Sequence, residues 1–198
     1  MKLQAVYFVP RNETTRPERM NGIMWALSRC QSFFLREAGL FLNWSVSPDP
    51  IHGSLWSEKY EQDPDLILDE AMEKTHLRWD ILGIFSEGHI YHGAFGGTFG
   101  KRGYFVLAKG YLERLGKKRD DTVVAHEIGH ALGLEDHSER FSIMGGGPQC
   151  GGLERPALLR KHRAHLTRND RESLRAIGRL DGSSEAPRTG RSGRAERA

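Results

Sequence analysis

From Leu3 to Val9 the chain is apolar or aromatic at every position but Gln4, which reads as a β-strand. After a polar stretch from Pro10 to Pro17 the period changes. Met20, Ile23, Leu27, Cys30 and Phe34 recur at three- and four-residue intervals, which predicts a helix from about Glu18 to Ala38 with Gly39 as its stop. Leu40 to Val46 reads as a second strand. Asp63-Pro64 supplies an N-cap and a first-turn proline for a helix to about Arg78, with Leu66, Ile67, Ala71 and Met72 facing inward. Asp80 to Phe85 is a third strand. Residues 86–103 are rich in glycine and predict a loop followed by a strand. There Gly88, Gly93, Gly96, Gly97, Gly100 and Gly103 would let the backbone approach another chain closely, as a substrate-binding edge strand must. A plain surface loop is the alternative. Val123, Val124, Ile128, Ala131 and Leu132 form a further amphipathic helix, opened by Asp120 and Asp121 and closed by Gly133. Interspersed strands and helices of these lengths make the fold α+β.

That last helix carries the chemistry. Positions four apart on a helix lie nearly above one another, so His126 and His130 of His126-Glu127-Ile128-Gly129-His130 project from one face and can bind one metal ion. Glu127 points in an adjacent direction, which suits a carboxylate that does not bind the metal but takes a proton from water. Gly133 can adopt the left-handed conformation that turns the chain back, so that a third ligand arrives from outside the helix. Three protein ligands with an open position describe a catalytic zinc site, whereas a structural site is closed by four.

The extended stretch resembles the signature of the metzincin metalloproteases, H-E-x-x-H-x-x-G-x-x-H followed by a methionine-containing turn. Here the third-ligand position holds Asp136, with His137 one residue later. Aspartate at that place is similar to snapalysin, the small neutral protease family that uses it as third ligand. Ser142-Ile143-Met144-Gly145-Gly146-Gly147-Pro148 resembles that family's methionine turn and glycine run. Gly103 to Leu107 and the lead-in from Asp121 to Ala125 fit the same pattern, and the likeness covers about residues 90–150. A looser resemblance joins Leu166 to Asp170, Leu174 and Gly178 to the final helix of the matrixins, in which the third ligand is histidine. Aligned with an insertion, that family would select His137 in place of Asp136.

The resemblance implies a metzincin-like zincin domain, α+β, with a twisted mixed sheet, an active-site helix and a C-terminal helix. It also implies a zinc endopeptidase in which a zinc-bound water, activated by Glu127, hydrolyses peptide bonds, with His126, His130 and Asp136 as ligands and His137 as the alternative third ligand. Met144 would form an apolar floor beneath the histidines. Astacin-like and serralysin-like metzincins carry a tyrosine two residues after that methionine, and here the position is Gly146. His92 falls where matrixins have a ligand of a second, structural zinc. The partners such a site needs are missing from Gly103 to Lys109, so none is assigned.

Length and charge add less. With 198 residues the chain suits one domain, expected over 1–180, followed by a disordered basic tail over 181–198. The net charge of +3 is uneven, with Arg155, Arg160, Lys161, Arg163, Arg168, Arg171, Arg175 and Arg179 in the C-terminal segment and Arg188, Arg191 and Arg194 in the tail. No nucleic-acid motif or aromatic residue accompanies those charges, so they read as a solvated face and no specific nucleic acid is expected. The partner expected is a protein or peptide substrate, met by a monomer. No apolar run approaches a membrane span, and the N-terminus lacks the layout of a signal peptide. The chain is therefore expected in the cytoplasm, exported without a leader, or numbered from a mature form. Cys30 on an inward helix face and Cys150 after the methionine turn are expected as free thiols. The competing class is a non-catalytic, zinc-stabilised binding module that engages an anionic partner through the basic C-terminal region. Such a module would have no use for Glu127.

Overall fold

A computed structural model describes residues 1–75, 79–90, 93–115, 121–137, 139, 142–145 and 165–182. Arg78, Tyr91 and His92, Asp120, the Gly146 to Pro148 run, Cys150, the basic residues from Arg155 to Arg163 and the tail from 183 lie outside these residues.

The sheet is built around β1 (Lys2–Val9), in which every residue from Leu3 to Val9 is buried. Successive side chains do not divide core from solvent here; they divide two cores. Leu3, Ala5, Tyr7 and Val9 join one, Val6 and Phe8 the other. Burial on both faces is what parallel strands covered by helices on each side require. β4 (Ile81–Ser86) repeats the division, with Ile81 and Phe85 in the first core and Leu82 and Ile84 in the second. The strand order is β2-β1-β4-β6-β5. β2 (Asn43–Val46) and β4 pair parallel to β1, and β3 (Ile51–His52) adds a short parallel ladder at its C-terminal end. β6 (Arg102–Leu107) is parallel to β4, and β5 (Ala94–Phe99) closes the edge antiparallel to β6. The fold is thus α+β with a mixed sheet.

α1 (Glu18–Ala38) has the predicted bounds and lays Ile23, Leu27, Cys30 and Phe34 on the first core, with Met20 partly buried beside them. Gly39 ends it at φ 70°, where the left-handed backbone costs glycine nothing. The second core is capped by α3 (Asp65–Lys74), through Ile67, Leu68 and Ala71.

The expected helix from Asp63 to Arg78 needs correction at both ends. Asp63 closes a separate helix, α2 (Ser57–Gln62), its N–H bonded to Lys59 O. Pro64 is the N-cap of α3 with no side-chain cap bond, and the helix stops when Thr75 turns extended. The reason is Tyr60, wholly buried edge-on against Phe8 and bonded to Glu70, which folds the preceding segment against α3. The second strand likewise begins at Asn43, three residues later than expected.

Residues 94–107 form a hairpin, with Gly100 at φ 61° in its turn. α4 (Lys109–Leu112) leads from β6 towards α5 (Asp121–Ala131), which packs against β5, β6 and α1. α6 (Arg168–Gly182) lies beside α1 and runs two residues past the boundary expected at 180. Among the described residues no helix is long and apolar enough to cross a membrane.

Candidate metal centre

α5 buries Val124, Ala125, Ile128 and Ala131 and turns His126 and His130 towards the surface. Its contact with the sheet is backbone on backbone. A side chain at Gly103 of β6 would strike the Ala131 carbonyl, and one at Gly129 would overlap the Met144 sulfur. These two glycines let the helix sink between the hairpin and the methionine turn.

The helix ends in a paired turn. Gly133, at φ 79°, donates its N–H to His130 O, and Leu134 N–H reaches back to Gly129 O at 2.9 Å, the two bonds of a Schellman motif. The turn leaves the Leu134 carbonyl 2.9 Å from His130 Nδ1. The Ile143 carbonyl, in the methionine turn, lies 2.9 Å from His126 Nδ1. A carbonyl can only accept, so each ring carries a proton on Nδ1, and the neutral imidazole would present the lone pair of Nε2 to a metal.

Those two Nε2 atoms are 3.1 Å apart. The chain reversed by Gly133 brings in Asp136, whose Oδ1 lies 3.6 Å from His126 Nε2 and 3.7 Å from His130 Nε2. These three residues form the metal-competent cluster among the described residues. Two imidazole nitrogens and a carboxylate oxygen facing one another are a donor set that one bound cation would satisfy together. Zinc bonds of about 2.0–2.2 Å at tetrahedral angles would hold their ligand atoms roughly 3.3–3.5 Å apart, close to what is found. The donor set therefore fits zinc.

His137 faces elsewhere. Its Nε2 lies 3.1 Å from Asp170 Oδ2, and its Nδ1 accepts the Glu139 N–H at 3.2 Å. Its backbone N–H donates to Met144 O. Met144 itself is fully buried beneath the helix at Gly129. Glu127 is 6% exposed, between α5 and the edge strand. A Cβ added at Gly96 of β5 would sit 2.8 Å from Glu127 O and 3.1 Å from Glu127 Oε2. Of the predicted residues the structure gathers His126, His130 and Asp136, places Glu127 beside them and Met144 below, and turns the His137 ring away.

Sequence reasoning placed Thr167 and Asp170 at the final helix without giving either a role. Thr167 Oγ1 accepts the Asp170 N–H at 3.1 Å and Asp170 Oδ2 accepts the Thr167 N–H at 3.0 Å, a capping box at the start of α6. The Thr-x-x-Asp spacing was the available signal. It also passed over Glu87, fully buried and bonded to Tyr7 and Arg19 at the far end of β4.

The chain is similar in structure to archaemetzincin from Methanopyrus kandleri, at 18% identity and a TM-score of 0.56, over 90% of this chain and 96% of that one. It is also similar to metalloproteinase-II from Bacteroides fragilis, at 13% identity and a TM-score of 0.51, over 88% of this chain and 52% of that one. At such identities the likeness is one of fold. No curated protein matches the sequence. The model of Peptidase family M48 matches residues 65–183, more than half of the chain and the whole of the metal cluster. The chain therefore belongs to Peptidase family M48 and is a zinc metallopeptidase.

Proposed function

We propose that the protein is a zinc endopeptidase of metzincin type, acting as a monomer, with His126, His130 and Asp136 as zinc ligands and Glu127 as general base. One observation carries this reading: two imidazoles held through Nδ1 by backbone carbonyls converge with a carboxylate, while a second carboxylate stands next to them at the edge of the sheet. The aspartate ligand is in keeping with the resemblance to snapalysin, and the methionine below the site with both families it resembles.

Zinc, when bound, supplies Lewis acidity that polarises a carbonyl and lowers the pKa of water from about 16 towards neutrality. Everything else falls to the chain. Among the described residues β5 is the last strand of the sheet, which offers its outer edge to an extended peptide, and Gly96 leaves the strand without a side chain over Glu127. Glu127 removes a proton from the attacking water as its oxygen bonds to the peptide carbon. It then delivers that proton to the amine nitrogen as the carbon–nitrogen bond breaks. The carbonyls of Leu134 and Ile143 keep both imidazoles oriented throughout.

The test is zinc content and casein cleavage for wild type and Glu127→Ala. The expected result is one zinc per chain in both and a loss of about 10²–10⁴-fold in turnover in the variant, the usual worth of a positioned base. An active variant would overturn the mechanism. Zinc without cleavage in wild type would favour a zinc-stabilised binding module.

A further inference from the structure

Asp136 is an exposed residue asked to hold a precise position. Its side chain is 42% exposed, so packing does not fix it. Its neighbour does the fixing. His137 is tied at three points: the backbone N–H to Met144 O at 3.2 Å, Nδ1 to the Glu139 N–H at 3.2 Å, and Nε2 to Asp170 Oδ2 at 3.1 Å. Nδ1 accepts from a backbone donor, so the ring proton sits on Nε2 and is donated to Asp170.

Asp170 is in turn held in place. It is 7% exposed and locked into the capping box with Thr167, between Leu166 just before the helix and Leu174 within it, both fully buried in the main core. Arg171 of the same turn lies 3.6 Å from Glu37 of α1. A continuous chain of contacts thus runs from the core through α6 and His137 to the residue beside Asp136. We infer that Asp170 is a positioning residue for the metal centre, acting through His137, so that docking of the C-terminal helix sets the affinity for zinc. Capping alone does not call for that third contact, because the Thr167 pair already satisfies the helix start. The inference rests on Asp136 as ligand.

The experiment measures zinc affinity by chelator competition, with circular dichroism as a check on folding, for wild type, Asp136→Ala, His137→Phe, Asp170→Ala, Thr167→Ala and the double variant His137→Phe/Asp170→Ala. Asp170→Ala and His137→Phe should each weaken zinc binding about 10–100-fold, the typical cost of losing a supporting partner. The double variant should lose no more than the worse single one, since both remove the same link. Thr167→Ala disturbs the same helix cap without touching His137, so it should lower Tm and leave zinc affinity within about twofold. His137→Phe keeps the cap and tests the link even where Asp170→Ala folds poorly. Equal zinc affinity in Asp170→Ala and Thr167→Ala, or additive losses in the double variant, would overturn the inference. Asp136→Ala retaining zinc while His137→Phe loses it would instead overturn the ligand assignment, and the inference with it.

Discussion

Gly103→Ala places a methyl group where β6 and the end of α5 meet through their backbones. The added carbon would lie 2.7 Å from the Ala131 carbonyl carbon and 2.9 Å from its Cβ, with the carbonyl oxygen closer still. Ordinary carbon–carbon contact is about 3.5–4.0 Å, so the helix end must retreat by roughly 1 Å. Both sides are backbone, and neither can swing away as a side chain would. The strand is also held on its other flank, with Gly103 opposite Ile81 of β4. The cost should therefore reach the upper part of the overpacking range, about 3 kcal/mol. For a chain of this size that is a fall in Tm of roughly 6–12 °C, read by calorimetry on the zinc-free protein. The retreating turn also carries His130, so zinc affinity should fall with it. Gly110→Ala is the control: nothing lies within 4 Å of its added carbon, and stability should hold or rise by up to about 1 kcal/mol. A Gly103 variant within about 2 °C of wild type would refute the claim that this glycine seats the active-site helix.

Other expectations follow from buried polar groups. Arg19→Met strips the guanidinium that lies 2.8 Å from the fully buried Glu87 carboxylate, and should cost about 3–5 kcal/mol in chemical denaturation, with Arg19→Met/Glu87→Gln recovering part of it. An unchanged midpoint would show that the pair is not needed. Burial, then the hydrogen bond to Glu70, push the Tyr60 phenol up to about 12 from its usual 10. The native state holds that proton more tightly than the unfolded chain, so the stabilisation is complete below pH 10 and is lost as pH rises through 12. Alkaline unfolding should be less steep in Tyr60→Phe, and an identical slope would contradict the assignment.

Much of the active-site helix was legible because its logic is local. His126 and His130 are one turn apart, and Gly133 marks the helix end from its own conformational freedom. α1 was equally plain, since one long amphipathic period spans it. The β5–β6 hairpin was legible only as a loop followed by a strand over residues 86–103, because Gly96, Gly97 and Gly100 erase the alternation that would have set its bounds. α2 was hidden for a different reason: Tyr60 is placed by Phe8 and Glu70, neither of them a near neighbour in sequence. The same applies at the metal. Spacing offered Asp136 and His137 as alternatives, and what separates their positions is a contact between His137 and Asp170, 33 residues further along. The Glu87 network likewise joins residues 68 and 80 positions apart.

The ligand assignment is tested most directly by the position of the metal, from anomalous diffraction at the zinc edge on crystals of the zinc-loaded protein. One peak is expected at about 2.0–2.2 Å from His126 Nε2, His130 Nε2 and an Asp136 carboxylate oxygen, with His137 still bonded to Asp170. A peak bound by His137, or zinc located away from His126 and His130, would contradict it.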